Sequence, residues 1–236
     1  MSFVISKKSI DTLKRIYDVN QCLRFVGGEN VLKCASVDKT TLVHAPIDRA
    51  FPRDFNVYDL REFLSVLNII PDAELDFSND NCVLIKSSDG KQKIRYYEAD
   101  PEFITSYIDK VPNLSDSDIA LTVSVTEDQF HSVVKSASTM KLEYIGFICD
   151  GQKVYLSAFN KHNGDLNNTN QFSVEVADYT LNPFEMFYKV INGTNINILL
   201  NEGDLKFDIS PKKISRIGTE SGKTFWIAMN INSEFK

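Results

Sequence analysis

Two stretches, FNVYDLREFLSVL at residues 55–67 and FSVEVADYTLNPFEMFYKVI at residues 172–191, both read as a strand running into a capped helix. A plan that recurs within one chain constrains the fold strongly, because the same apolar faces must be buried twice. Four segments carry helical periodicity. The first covers about residues 7–19, with Ile10, Leu13 and Tyr17 on one face. The second follows Asp59 and buries Leu60, Phe63, Leu64 and Leu67, with Asp59 and Glu62 in a capping arrangement. The third follows Thr126, with Gln129 completing T-x-x-Q, and buries Phe130, Val133, Val134 and Ala137. The fourth starts at Asn182-Pro183, an N-cap before a proline at the first helical position, and buries Phe184, Phe187, Tyr188 and Ile191.

Strand signals fill the gaps. In the first half they lie at residues 22–26 and 31–35 around Gly27-Gly28, at 74–77 and 82–85, and at 93–97 after Ser88-Asp-Gly. In the second half they lie at 144–148 and 153–157 around Asp150-Gly151, a hairpin signal, and at 196–200, 205–209 and 225–229. An offset of 120 places Ser6, Ile10, Leu13 and Tyr17 on Thr126, Phe130, Val133 and Ala137. An offset of 124 places Leu60, Phe63, Leu64 and Leu67 on Phe184, Phe187, Tyr188 and Ile191. The expectation is an α+β protein of two similar domains, residues 1–100 and 121–236, each with two helices packed on antiparallel sheets. Residues 101–120, with two prolines and an acidic Ser-Asp-Ser-Asp tail, have linker composition, although Ile108, Val111 and Leu114 can still pack on a surface.

No apolar run approaches the roughly 20 residues of a membrane span, and the N-terminus lacks the apolar core of a signal peptide. Cys22, Cys34, Cys82 and Cys149 show no C-x-x-C spacing and read as reduced core thiols. The sequons at Asn167 and Asn192 matter only in a secreted protein. His44, His131 and His162 have no metal-ligand spacing, and no nucleophile elbow, phosphate loop or zinc-protease motif is present, so the chain is expected not to be an enzyme.

The net charge of −6 argues against a protein that coats DNA, because nonspecific affinity comes from neutralising phosphates. The placement of the positive charges then matters more than their sum. At about 100° per residue the first helix directs Lys8, Thr12 and Arg15 outward. The third directs Asp128, Ser132, Lys135 and Thr139 outward, with Lys141 just beyond, and the fourth directs Lys189 outward. Helix two is the exception, with Glu62, Ser65 and Ile69 on its outer face and Arg61 at the edge. Each lysine alone fits a solvated face. Together they also fit a weakly basic surface beside a phosphate backbone, where a few exchangeable contacts permit sliding.

Val57-Tyr-Asp-Leu-x-x-Phe-Leu64, Glu98-Ala-Asp-Pro101, Phe159-Asn-Lys161, Phe225-Trp-Ile-Ala-Met229 and Thr40-Thr-Leu-Val-His-Ala-Pro-Ile47 occur in an order and spacing that span nearly the whole chain. With them the chain resembles the sliding clamps of T-even-type bacteriophages, the processivity factors of phage DNA polymerases. The resemblance implies the DNA clamp fold: a homotrimeric ring of six similar domains, with helices lining the hole around duplex DNA and sheets outside. It implies DNA-facing roles for Lys8, Arg15, Lys135, Lys141 and Lys189. It also implies a pocket for an apolar partner tail at Leu42, Val111, Leu114, Trp226 and Ala228. Trp226 fits ordinary core equally well on an alternating strand, and the connector has only Val111-Pro-Asn-Leu114 where the family has longer Pro-apolar alternation. The implied partners are double-stranded DNA, the phage DNA polymerase, a clamp loader that would carry the ATP chemistry, and transcription factors, inside the host cell. No cofactor and no metal is implied. The competing expectation is a non-catalytic two-domain phage binding or assembly protein that does not encircle DNA.

Overall fold

A computed structural model describes residues 2–161, 170–179, 182–190 and 196–235. The chain forms two compact units, Met1–Val111 and Pro112–Lys236. In the first unit the order is β1 (Ser2–Val4), α1 (Lys7–Tyr17), β2 (Leu23–Phe25), β3 (Val31–Ala35), β4 (Thr41–Pro46), β5 (Phe55–Val57), α2 (Leu60–Ile69), β6 (Glu74–Asp76), β7 (Cys82–Lys86) and β8 (Lys93–Tyr97). The second contains β9 (Leu121–Val125), α3 (Glu127–Met140), β10 (Tyr144–Cys149), β11 (Lys153–Phe159), β12 (Gln171–Asp178), β13 (Phe184–Lys189), a 3-10 turn at Ile196–Leu199, β14 (Leu205–Ser210), β15 (Ile214–Thr219), β16 (Thr224–Ala228) and β17 (Glu234–Phe235).

Element order and pairing both repeat. β1 pairs antiparallel with β6, followed by β7 and β8, as β9 pairs with β14, followed by β15 and β16. β2 pairs with β5 as β10 pairs with β13, and β3–β4 forms a hairpin as β11–β12 does. The 3-10 turn at Ile196–Leu199 stands in the order where α2 stands in the first unit. Residues 196–200 are therefore not the expected strand, although Ile196, Ile198 and Leu199 are buried.

The fourth helix is corrected to a strand. Phe184–Lys189 pairs with β10 along six residues, from Phe184 opposite Cys149 to Lys189 opposite Tyr144, and Phe184 and Glu185 also pair with β17. Phe184, Phe187 and Tyr188 satisfy helical spacing, but Phe184, Met186 and Tyr188 satisfy alternation equally well, and all four side chains are buried. Aromatic side chains favour a pleated, packed surface, and tertiary pairing decides such ambiguous runs. Gly146 makes the contact possible, since a Cβ there would lie 2.3 Å from the Cβ of Phe187. The predicted burial of Ile191 lies outside the described residues.

Core composition explains how each unit closes. Phe3, Phe25, Phe51, Phe55, Phe63 and Phe77 form a chain of ring contacts in the first unit, with centroids 4.2–6.2 Å apart. In the second, Phe207 joins Phe130 of α3 to Phe147 of β10, and Phe187 joins Tyr144 to Phe159. Burying one such ring contributes about 1.5–3 kcal/mol. All four cysteines are buried and free, as composition suggested.

The quoted motifs turn out to hold the scaffold. Asp59 caps α2 by accepting from the amides of Arg61 and Glu62, at 2.9 and 3.0 Å. Asn160 accepts from the Glu143 amide at 2.7 Å, and Lys161 pairs with Glu185 at 2.6 Å. Glu98 pairs with Arg53, and Asp100 caps the 3-10 turn Pro101–Phe103.

Candidate nucleic-acid interface

The helix starts are fixed by their caps. Ser6 accepts from the Ser9 amide at 3.1 Å. Thr126 and Gln129 form the reciprocal box read in the sequence, each side chain taking the other residue's amide. Each cap is worth about 1 kcal/mol, enough to define where a helix begins.

Phe130, Val133, Val134 and Ala137 form the buried stripe of α3. Asp128, Lys135, Thr139 and Lys141 are exposed, and Ser132 is half-buried. Lys141 is the C-cap in the left-handed region at φ 54°, which ends the helix and leaves its side chain in solvent.

On α1 the face is turned. Its buried residues are Ser9, Thr12, Leu13 and Ile16, so the stripe starts one residue earlier relative to the cap than in α3. Thr12 is buried instead of outward, and its hydroxyl donates to the Lys8 carbonyl at 3.1 Å. Ile10 and Tyr17, expected in the core stripe, are half-buried. The exposed positions are Lys7, Lys8, Asp11, Lys14 and Asp18, three cations and two carboxylates. By buried face, Lys14 rather than Arg15 corresponds to Lys135. Small polar side chains account for the shift: Ser9 bonds with Ser6 and accepts from the Asp48 amide at 3.4 Å, and Thr12 bonds its own helix, so both are buried without the apolar character that periodicity registers.

Lys8 is exposed, with its ammonium 3.8 Å from Asp48, too long for a hydrogen bond. Arg15 is half-buried on the flank of α1. Lys189 is exposed but lies at the end of β13 rather than on a helix face, which corrects its expected setting. Among the described residues, Arg15, Lys135, Lys141 and Lys189 make no ion pair. Elsewhere Arg24, Lys153, Lys161, Lys212, Arg216 and Lys223 are neutralised by carboxylates at 2.5–2.7 Å. Much of the basic charge is thus committed to the scaffold, while the α3 cations remain available to an external anion. A few uncommitted cations on an acidic body suit weak, exchangeable phosphate contact.

The five candidate peptide-site residues divide between the units. Leu42 on β4 and Val111 are half-buried in the first. In the second, Leu114 and Trp226 are 6% exposed and Ala228 is half-buried. Trp226 sits opposite Arg216 on the β15–β16 ladder, on the same sheet face as Ala228. Arg216 donates twice to Asp208 at 2.9 and 2.7 Å and once to the Leu114 carbonyl at 3.2 Å, tying the start of this unit to its sheet. Thr122 completes the row by donating to Asp208 at 2.7 Å. The sequence did not reveal this network, because Thr122, Asp208, Arg216 and Trp226 meet only through strand register.

No family profile matches the chain. It is 29% identical over 214 residues to the sliding clamp of Vibrio phage KVP40, covering 90% of this chain and 92% of that protein. It is 25% identical over 179 residues to the sliding clamp of Enterobacteria phage T4, covering 74% and 75%. Its fold superposes on the proliferating cellular nuclear antigen of Entamoeba histolytica with a TM-score of 0.68 at 13% identity, covering 94% of each chain.

Proposed function

We infer that this chain is a sliding clamp of the T-even-type phage family, a ring subunit that encircles duplex DNA and tethers the phage DNA polymerase for processive synthesis. The observation that carries this reading is similarity to phage sliding clamps across nine-tenths of the chain. The internal repeat of nine elements in the same order, with a 3-10 turn in the place of α2, supports it, since a chain with two like units supplies two of the six segments of a three-subunit ring. Nothing observed favours the alternative assembly protein.

Retention by a ring is topological, so the protein need not grip the duplex. Each unit brings its own helical face: Lys8 and Arg15 on α1, Lys135 and Lys141 on α3. Lys189 is a weaker candidate because it leaves from a strand end. Contacts of this kind neutralise phosphates without reading base edges, which gives sequence-independent sliding. Residues 1–100 and 121–236 are proposed as the two clamp domains, joined by residues 101–120. Leu42, Val111, Leu114, Trp226 and Ala228 are proposed to receive an apolar tail from the polymerase, the loader or transcription factors. No chemical step is assigned to this chain; ATP turnover would reside in the loader.

Ring closure needs a heterologous contact that repeats until it meets itself. β8 and β12 end their sheets and alternate exposed with half-buried side chains. β8 exposes Lys93, Arg95 and Tyr97, whereas β12 exposes Gln171, Ser173, Glu175 and Asp178. Glu175 is paired with Lys153 within the chain, which leaves Asp178 as the other exposed carboxylate of β12, and a basic edge on one copy facing it on the next is the proposed head-to-tail joint.

The test is retention on DNA after loading with the cognate loader and ATP. Complexes should persist on nicked circles and be lost from linear DNA of equal length, and blocking the linear ends should restore them. Equal retention on circles and open linear DNA would show gripping instead of encirclement and reject the reading.

A further inference from the structure

Val37, Tyr58 and Phe103 are among the most exposed large apolar side chains of the described residues, at 76%, 65% and 62%. They come from three separate segments: the β3–β4 turn, the junction of β5 with α2, and the 3-10 turn Pro101–Phe103. All three line one cleft of about 610 Å³ in the first unit, together with Tyr17, Asp18 and Glu102. Scattered exposed apolar residues need no explanation, but three gathered on one concavity mark a contact surface.

The charge of the lining narrows the occupant. Glu102 contributes an exposed carboxylate and Asp18 a second that already interacts within the chain, and among the described residues no lysine, arginine or histidine lines the cleft. The cleft also lies at the C-terminal end of α1, whose terminal carbonyls favour cations, with Lys14 and Arg15 in that last turn and Lys39, which donates to the Thr105 carbonyl, as the nearby positive charges. Tyr17, Tyr58 and Phe103 supply ring faces, which attract cations as well as apolar groups. A guanidinium meets all of these demands, since it stacks on rings and bonds carboxylates through two donors. The apolar rim extends past what one cation covers, so the occupant carries a bulky apolar residue beside it.

We propose that this cleft docks a short segment of a partner protein in which an arginine or lysine stands next to an aromatic or branched apolar residue. The site contains none of the five residues proposed for the apolar tail, and it disfavours nucleic acid and acidic peptides by charge.

The test uses random dodecapeptides displayed on phage, selected against the full chain and counter-selected against the Tyr58→Ala/Phe103→Ala variant. Both side chains are largely exposed, so the variant should fold, and an unchanged melting curve verifies it. Recovered peptides should carry arginine or lysine within three positions of an aromatic or branched apolar residue. For a synthetic lead, fluorescence anisotropy should show Kd weakened about tenfold by Phe103→Ala and by Glu102→Arg. It should be unchanged by Ile231→Ala, a control on the second unit that removes an equally exposed apolar group. Reversing the peptide's cation to glutamate should abolish binding. Selection of acidic peptides, or of none that depend on Tyr58 and Phe103, overturns the proposal. Loss of self-association in Glu102→Arg would assign the cleft to a second copy of this chain and also overturn it.

Discussion

The Glu202 side chain is 2% exposed and accepts two hydrogen bonds from the Lys223 ammonium, at 2.9 and 2.7 Å. Removing one partner of such a pair leaves an uncompensated buried charge. Lys223→Met should therefore cost about 3–5 kcal/mol in urea unfolding, and adding Glu202→Leu should recover most of the loss, because a well-packed apolar pair replaces an ion pair at little net cost. A loss below about 1 kcal/mol for the single variant would mean that water reaches the pair. Cys34, fully buried, titrates on the alkaline side: burial, aided by the neighbouring Cys22 thiol, pushes it from 9.0 to about 12. The folded value lies above the unfolded one, so the stabilisation is whole below pH 9 and is lost as pH rises from 9 toward 12. Cys34→Ala should flatten that part of the stability profile relative to the parent chain. Tyr188, also pushed up by burial, is common to both proteins and cancels in the comparison. At this scale the buried cysteines were legible from type and spacing. The Glu202–Lys223 pair was not, because partners from different loops meet only after the sheet forms.

Among the elements, α3 was the most legible because its signals agree: a capping box, four apolar residues at helical spacing and a polar opposite face. α1 was legible as a helix but not in its orientation, since Ser9 and Thr12 are buried polar residues whose hydroxyls bond locally. β13 was misread because its aromatic residues satisfy both periods, and only pairing with β10 beside Gly146 separates them. These differences decide which cations to test. Lys135 and Lys141 leave α3 into solvent, but Lys141 is its left-handed C-cap and both sit toward the negative end of the helix, so Lys135→Glu/Lys141→Glu should cost about 1–2 kcal/mol without unfolding the chain. The same variant should reduce stimulation of primer extension several-fold at physiological salt. It should also lower the salt-dependence slope by about one for each phosphate that is no longer neutralised. Thr12→Val, on the same class of element but buried, should leave the salt dependence untouched. Unchanged stimulation in the α3 variant would remove that face from DNA contact.

For the whole molecule, the duplication was visible in the sequence, yet one of the two offsets supporting it rested on the misread helix. What repeats is a pairing scheme: the first strand of each unit joins the sixth, the second joins the fifth, and the third and fourth form a hairpin. Strand registry carries this information, and local periodicity does not. The scheme leaves β8 basic and β12 with Asp178 exposed and Glu175 paired to Lys153, a contrast that favours a head-to-tail joint over a two-fold one, in which the two basic edges would face each other. Sedimentation equilibrium should then give about 80 kDa for three copies of the 26.8 kDa chain, with dissociation on dilution and at high salt because exposed charges are screened. Arg95→Glu leaves β8 with one positive and one negative exposed side chain, so the edge loses its net positive charge, and assembly should shift to a higher midpoint protein concentration by about tenfold. Lys206→Glu, the same charge change at an exposed position on an interior strand of its sheet, should not. A two-fold dimer, or equal effects of the two substitutions, would place the joint elsewhere and remove the closure on which topological retention depends.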